Sequence, residues 1–198
     1  MATPRETVVD IARSQHHAIG LALASAAMRA DPYLAADALR EANAGRLSSR
    51  GRRHALWVFD RATGVLESTL EAVSLAAIEW LGFPAPELQR TFVGSGVEDD
   101  LRTDFWWKYA ATAGEADGDK KYRDRDAVAI LAERRARDAR LLERGVRATV
   151  HWGWFDTTNV DPLRAALLAA GLRQERLEDV TELRSMKRLL TPRSHDRA

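Results

Sequence analysis

A chain of 198 residues with 45% hydrophobic and 30% charged residues has the composition of an ordinary globular protein, and its net charge of +1 says little by itself. The absence of cysteine excludes disulfide bonds and cysteine-ligated zinc. No apolar run reaches membrane-spanning length and no signal peptide is visible, so we expect a cytoplasmic protein.

The first part of the chain, residues 1–60, predicts a helical accessory segment. Its apolar residues recur at helical spacing, and Asp31-Pro32 provides a clear break between helices. Alanine is frequent and no catalytic cluster is visible in this segment. The predicted helices cover residues 5–13, 17–30, 33–44 and 52–60.

The middle of the chain, residues 63–175, predicts one domain that contains a sheet, and residues 176–198 predict a polar C-terminal tail. A helix at 66–81 stops at Gly82, where Pro84 and Pro86 follow. The elements expected after it are strands at 87–93, 102–107 and 109–116, a helix at 126–143, a strand at 146–152 and a helix at 162–172. This order predicts an α/β (α+β) fold in which a small mixed sheet is flanked by helices.

Residues 104–121 contain the acidic cluster that carries the chemical argument. Asp104 lies in an aromatic strand, Glu115 and Asp117 follow, and Lys121 comes three residues after Gly118. Two short strands joined by a tight turn would bring these carboxylates together, and clustered carboxylates need a cation to neutralise them. Mg²⁺ (or Mn²⁺) prefers oxygen ligands, and such a site beside a lysine suits phosphodiester hydrolysis.

Three further features remain open on spacing alone. Glu71 lies at the edge of the buried face of the helix at 66–81, where it either reaches a cleft or pairs at the surface; spacing favours the surface.

In the helix at 126–143 we expect an apolar stripe through Ala127, Leu131 and Leu142. Arg135 and Asp138 project on the same side, and either pair with each other or point toward the carboxylates or a phosphate. The arginine clusters at 46–53 and 134–147 suit a phosphate backbone, but each alone is more typical of a solvated helix face.

The motif in residues 102–122 also resembles a known family. Arg-x-Asp-Phe-x-Trp at 102–107 and Gly-Glu-x-Asp-Gly-x-x-Lys-Tyr at 114–122 resemble a large group of actinobacterial proteins. These carry a domain similar to very-short-patch-repair endonucleases, within the PD-(D/E)XK nuclease superfamily, and many share a winged-helix N terminus with abortive-infection type IV antitoxins. The similarity covers about residues 3–172 and includes the segments 7–13, 67–71, 82–89, 133–138 and 150–154.

The resemblance implies a restriction-endonuclease-like fold and a metal-dependent DNA endonuclease. By position, Asp104 and Glu115 would hold Mg²⁺, and Asp117 stands where the superfamily usually has lysine. Lys121 would supply the missing positive charge, and Glu71 would complete the metal shell from its helix. Nucleic acid would be contacted by Arg134, Arg135 and His151.

Several positions depart from the family pattern. Arg134 replaces a lysine, Ala136 replaces an arginine and His151 stands where the closing strand usually has arginine. Trp107-Lys108 replaces a proline. The family's winged helix has no counterpart in this sequence, so we expect either a misassigned start or a shortened, degenerate copy that would lack DNA targeting by that module.

Three functions follow as competing hypotheses. The first is a Mg²⁺-dependent DNA endonuclease of the restriction or repair type. The second is a non-catalytic nucleic-acid-binding or antitoxin-like regulator that retains the nuclease fold and has a toxin or other protein as a possible partner. The third is a protein-docking module whose tryptophan-rich surface (Trp106, Trp107, Trp152, Trp154) binds a partner, although buried tryptophans are the simpler expectation.

Overall fold

The structure, a computed structural model, describes residues 3–94, 96, 99–118 and 127–191. The chain divides into two compact units, residues 1–76 and residues 77–198, and the boundary falls within one helix.

The first unit is helical, as predicted. It contains α1 (Pro4–Ser14), α2 (His17–Ala30), α3 (Ala36–Ala44), α4 (Arg52–Phe59) and the start of α5 (Thr69–Trp80). Thr3 and Glu6 form a capping box that satisfies the first amides of α1, which explains where that helix begins. Gly20 allows close packing of α2, because a Cβ there would lie 3.0 Å from Val58 Cγ2.

The second unit contains a four-stranded mixed sheet with flanking helices, which confirms the predicted mixed α/β class. The strands lie in the order β1 (Glu87–Phe92), β2 (Leu101–Trp107), β3 (Thr112–Ala116) and β4 (Ala148–Trp152). The first three are antiparallel neighbours and β4 runs parallel to β3. A parallel pair needs a crossover connection, and the helix α6 (Ala127–Leu142) lies in the chain between those two strands.

One face of this sheet is aromatic and fully buried. Phe105, Trp107 and Trp152 are each at most 2% exposed, and the Phe105 and Trp152 rings lie 5.2 Å apart. Gly114 lies between them on β3, where a Cβ would come within 2.5 Å of the Trp152 ring. The small residues of β3 therefore make room for large rings. Since Trp106 is also buried, the simpler account of these tryptophans is confirmed and the proposed docking surface loses three of its four members.

Helix α6 turns a different face inward from the one predicted. The expectation that Leu131 and Leu142 face the core is wrong, because they are 45% and 50% exposed; the side chain of Ala127 lies outside the described part. Leu141 is buried, and the inward stripe at helical spacing is Ile130, Arg134, Arg137, Asp138 and Leu141. Polar residues occupy a core-facing stripe here because they find charged partners on the sheet.

The C-terminal segment, predicted to be a polar tail, is largely structured. Strand β4 is followed by α7 (Trp154–Asn159), α8 (Asp161–Ala169) and α9 (Val180–Leu190), of which α7 and α9 were not anticipated. The segment before α9 hydrogen-bonds to the stretch after α5: the amide of Glu175 donates to Gly82 O at 2.8 Å. Gly82 has a φ of +79°, and a Cβ there would lie 2.1 Å from Arg176 O, so only glycine fits. Residues 192–198 lie outside the described residues.

Candidate functional site

A row of polar side chains crosses the second face of the sheet. Glu115 on β3 pairs in register with His151 on β4. Phe105 pairs with Gly114, so Asp104, one residue earlier on the antiparallel β2, stands opposite Glu115. Directly opposed residues in antiparallel strands have Cβ atoms about 4.5–5.5 Å apart. The structure therefore brings Asp104 and Glu115 together on one face; they are called the carboxylate pair below.

Asp104 is held in place by groups on both neighbouring strands. Its Oδ2 accepts a hydrogen bond of 2.8 Å from the amide of Ala116, and Gln89 Nε2 donates to its Oδ1 at 3.4 Å. A carboxylate that accepts a backbone amide has a fixed orientation, since the amide itself belongs to the sheet. The side chain at position 104 is thus preorganised toward β3.

Glu115 is the most perturbed acid in the described part of the chain. Only 12% of its side chain is exposed, and its Oε1 accepts a hydrogen bond of 3.2 Å from Arg137 Nη2 on α6. Burial raises the pKa of the Glu115 carboxyl to about 7; Arg137 opposes this effect and the negative charge of Asp104 reinforces it. One buried carboxylate beside a second is a site at which a further positive charge would be stabilising.

Beside the carboxylate pair lies a second group of residues, called the ion-pair cluster: Asp117, Arg134, Asp138 and His151. Asp117 Oδ2 accepts from Arg134 Nη2 at 2.7 Å and from His151 Nδ1 at 2.9 Å. The other ring nitrogen, Nε2, lies 3.0 Å from Asp138 Oδ1. An ionised carboxylate can only accept, so this arrangement favours the imidazolium form of His151, in which both ring nitrogens donate.

The pKa of His151 agrees with this geometry. Burial lowers its pKa, but the hydrogen bonds to Asp117 and Asp138 raise it by more, so the net shift is upward from the ordinary value of 6.5. The cluster ties β4 and the end of β3 to α6. Asp117 therefore does not leave a bare negative charge in the position where the resemblance expects lysine; two cations neutralise it.

The outcomes for three of the other predicted residues and for Lys121 differ. Lys121 lies outside the described residues. Arg135 is exposed on the outer side of α6, so the alternative in which it pairs with Asp138 is not what the structure shows. Arg134 and His151 take part in the ion-pair cluster, and their predicted contact with nucleic acid stays a prediction.

Glu71 has a structural task in the first unit. Only 5% of the residue is exposed, and its Oε2 accepts a 2.9 Å hydrogen bond from the amide of Glu67. Its own amide donates to Ser68 Oγ at 3.1 Å. Together these bonds satisfy amides at the N terminus of α5. A role for Glu71 in a metal shell stays a prediction.

Arg137 is the site residue that the sequence reasoning missed. Its Nη2 contacts the backbone carbonyl oxygen of Arg102 as well as Glu115, so it links α6 to both β2 and β3. The signal was present: Arg134, Arg137, Asp138 and Leu141 are spaced by three or four, as one helix face requires. Leu131 and Leu142, which lie on the other side of α6, suggested a different inward face.

The donor chemistry of the carboxylate pair fits a hard divalent cation. The described residues contain no group of three or more His, Cys, Asp or Glu side chains that could hold a metal ion. Mg²⁺, however, is typically held by one or two carboxylates together with waters and substrate phosphates. Asp104, Glu115, Asp117 and Asp138 face Arg134, Arg137 and His151, so the fully ionised site has one excess negative charge.

Comparisons with protein-family models, curated proteins and solved structures found no match. Within the part of the chain that the structure describes, every helix is too short or too polar to cross a bilayer.

Proposed function

We propose that this protein is a metal-dependent nuclease that hydrolyses phosphodiester bonds in DNA. The observation that carries the proposal is the carboxylate pair: Asp104 and Glu115 stand opposite each other on one sheet face, and Glu115 is buried enough to raise its pKa to about 7. Repulsion between two adjacent carboxylates destabilises a fold less when a cation that binds during function neutralises them.

Each residue of the site has a part in this proposal. Asp104 and Glu115 would hold Mg²⁺ or Mn²⁺, which when bound polarises the phosphate and makes water more acidic. The amide of Ala116 fixes the orientation of Asp104. Lys121 and Arg137 are the candidate cations for the charge that develops on phosphate. The element order, three antiparallel strands followed by a helix and a parallel strand, is compatible with the restriction-endonuclease-like fold that the resemblance implies.

A plasmid-nicking assay tests the proposal. Supercoiled DNA is incubated with the wild-type protein and with Asp104→Asn, in Mg²⁺ and in Mn²⁺. Asparagine keeps a carbonyl oxygen for the Ala116 amide but removes the charge that holds a cation, so the fold should survive while nicking falls by at least about 100-fold.

Asp161→Asn is the matched control, because it makes the same acid-to-amide change at an exposed ion pair with Arg164. It should cut as the wild type does. Equal nicking by the wild type and Asp104→Asn, or no nicking by the wild type in either metal, would refute the nuclease proposal.

A second candidate function rests on a different observation. Asp117 stands at the superfamily's lysine position and is neutralised by Arg134 and His151, so this position gives no positive charge to a reaction. A regulator that binds nucleic acid without cutting it, with an antitoxin-like protein partner, would tolerate that arrangement. The exposed Arg135, rather than Arg134, would then contact phosphate.

Binding of a fluorescent DNA duplex at increasing salt distinguishes the two candidates. A non-catalytic binder shows salt-dependent affinity with no product in Mg²⁺ or Mn²⁺, and Arg135→Gln reduces the slope of log affinity against log salt by about 1 if that residue contacts one phosphate. Glu143→Gln is the control. Glu143 is also exposed and directly follows the end of α6, but this substitution removes a negative charge and should not weaken binding. Absence of binding at low salt would eliminate this candidate.

A further inference from the structure

Arg137 occupies a position that neither the sequence motif nor the resemblance assigns. Its guanidinium contacts Glu115 Oε1 at 3.2 Å. The Glu115 side chain is 12% exposed and that of Arg137 is 37% exposed. The arginine is therefore the more solvent-accessible partner of this contact.

The same guanidinium has a second anchor that does not involve an acid. Arg137 Nη2 also donates to the backbone carbonyl oxygen of Arg102 on β2. A bond to this carbonyl would remain if Glu115 were taken by another partner. Arg137 can therefore leave Glu115 and still stay beside the carboxylate pair.

The other cations of the site are committed to different acids. Arg134 and His151 both contact Asp117, and His151 also contacts Asp138. Among the described cations, Arg137 is the one that forms an ion pair with Glu115. Arg137 thus performs on Glu115 the neutralising task that a divalent cation would perform if it took this carboxylate as a ligand.

We propose that Arg137 and the metal compete for the Glu115 carboxylate, so that one replaces the other as its partner; this replacement is called the exchange below. Arg137 holds the Glu115 carboxylate by a hydrogen bond; a metal that took Glu115 as a ligand would displace this bond, and the guanidinium would remain at Arg102 O as a contact for the substrate phosphate. This inference rests on the proposed function, because it takes Asp104 and Glu115 as the metal ligands. Arg137 is thereby both a competitor of the metal and a positive charge for the substrate.

The exchange predicts opposite effects of one substitution on two measurements. Arg137→Gln removes the competitor, so Mn²⁺ measured by isothermal titration calorimetry should bind about 10- to 100-fold more tightly, the range set by a charge-assisted hydrogen bond that no longer has to be broken. The same variant should cleave DNA more slowly at saturating Mn²⁺, because the phosphate contact is lost. Arg137→Lys should restore most of both wild-type properties.

A merely structural role for Arg137 would weaken metal binding and cleavage together. Arg147→Gln is the matched control, because Arg147 is exposed on the same unit and loses the same charge; its Mn²⁺ affinity should stay within about twofold of wild type, since an exposed charge is well screened. Unfolding midpoints of all variants establish that they are folded.

The outcomes separate the two proposals. If the wild type binds Mn²⁺ and Arg137→Gln binds it equally or more weakly, the exchange is refuted while the nuclease proposal stands. If the variant binds more tightly but wild-type protein never cleaves DNA, the exchange at the metal is supported and the nuclease proposal fails. If neither protein binds Mn²⁺, both fail.

Discussion

Replacing Glu115 by glutamine should stabilise the protein at alkaline pH and leave it nearly unchanged at acid pH. Glutamine resembles the protonated carboxyl in size and carries no charge. At low pH the wild-type side chain is already neutral in the folded protein, so the two proteins match. At high pH the wild type must bury a charge beside Asp104, and the variant does not.

The magnitude follows from the pKa of the Glu115 carboxyl. It is raised from the ordinary value of 4.5 to about 7, chiefly by burial. Between these values the folded protein binds more protons than the unfolded chain, so the stabilisation from protonation is complete below pH 4.5 and is lost as pH rises to about 7. A tenfold change in proton affinity is worth about 1.4 kcal/mol, which makes the full loss about 3 kcal/mol.

Urea unfolding between pH 5 and pH 8 measures this effect through tryptophan fluorescence. Five of the six tryptophans lie in residues 77–198, so the signal reports mainly the unit that contains Glu115. The quantity of interest is the difference in unfolding free energy between Glu115→Gln and wild type, because groups that titrate in both proteins cancel. This difference should increase by about 2.5 kcal/mol between pH 5 and pH 8, because part of the full loss has already occurred at pH 5.

Glu143→Gln serves as the control, since that glutamate is exposed. Its difference from wild type should be flat across the same pH range. A flat curve for Glu115→Gln, or a variant that loses stability on going from pH 5 to pH 8 relative to wild type, would refute the claim that burial dominates the ionisation of Glu115.

Two further substitutions test the packing of the second unit. Gly114→Ala should destabilise it by about 1–3 kcal/mol or more, because the new Cβ would lie 2.5 Å from the Trp152 ring; Gly118→Ala, where a Cβ meets nothing within 4 Å, should be close to neutral in the same urea experiment. Met186→Ala should lower the free energy of unfolding by about 2–5 kcal/mol, because Met186 in α9 is fully buried. Met186→Leu should lower it by less than about 1.5 kcal/mol. A thermal midpoint unchanged by Met186→Ala would show that α9 does not pack on the unit.

The elements of this protein were largely predictable from local sequence. Helices in the first unit follow from apolar spacing and from breaks such as Asp31-Pro32. Strand β2 was expected at 102–107 and lies at 101–107, because its aromatic residues favour extended chain. Strand β3 was expected to start at residue 109, but a 3-10 turn at Lys108–Ala110 precedes it and β3 starts at Thr112.

The wrong face predicted for α6 has a clear physical cause. Local patterns show which residues are apolar, but not whether a polar residue will find a partner. Leu131 and Leu142 suggested the inward face of α6, whereas Arg134, Arg137 and Asp138 face the sheet because Asp117, Glu115 and His151 offer opposite charges there. Helix α9 is a different case, because its signal is local: Asp179 caps its N terminus, and the buried Leu183 and Met186 are spaced by three.

By itself, then, the sequence determined the helical first unit, the mixed sheet and the acids at positions 104, 115 and 117, since these depend on propensity and on residue type. Tertiary structure alone decided which acid meets which cation. The pairing of strands puts Asp104 opposite Glu115, and the rotation of α6 gives Arg137 to one acid and Arg134 to another. Coulomb interactions and burial act over a few ångströms through space, so ionisation at this site depends on neighbours that are far away along the chain.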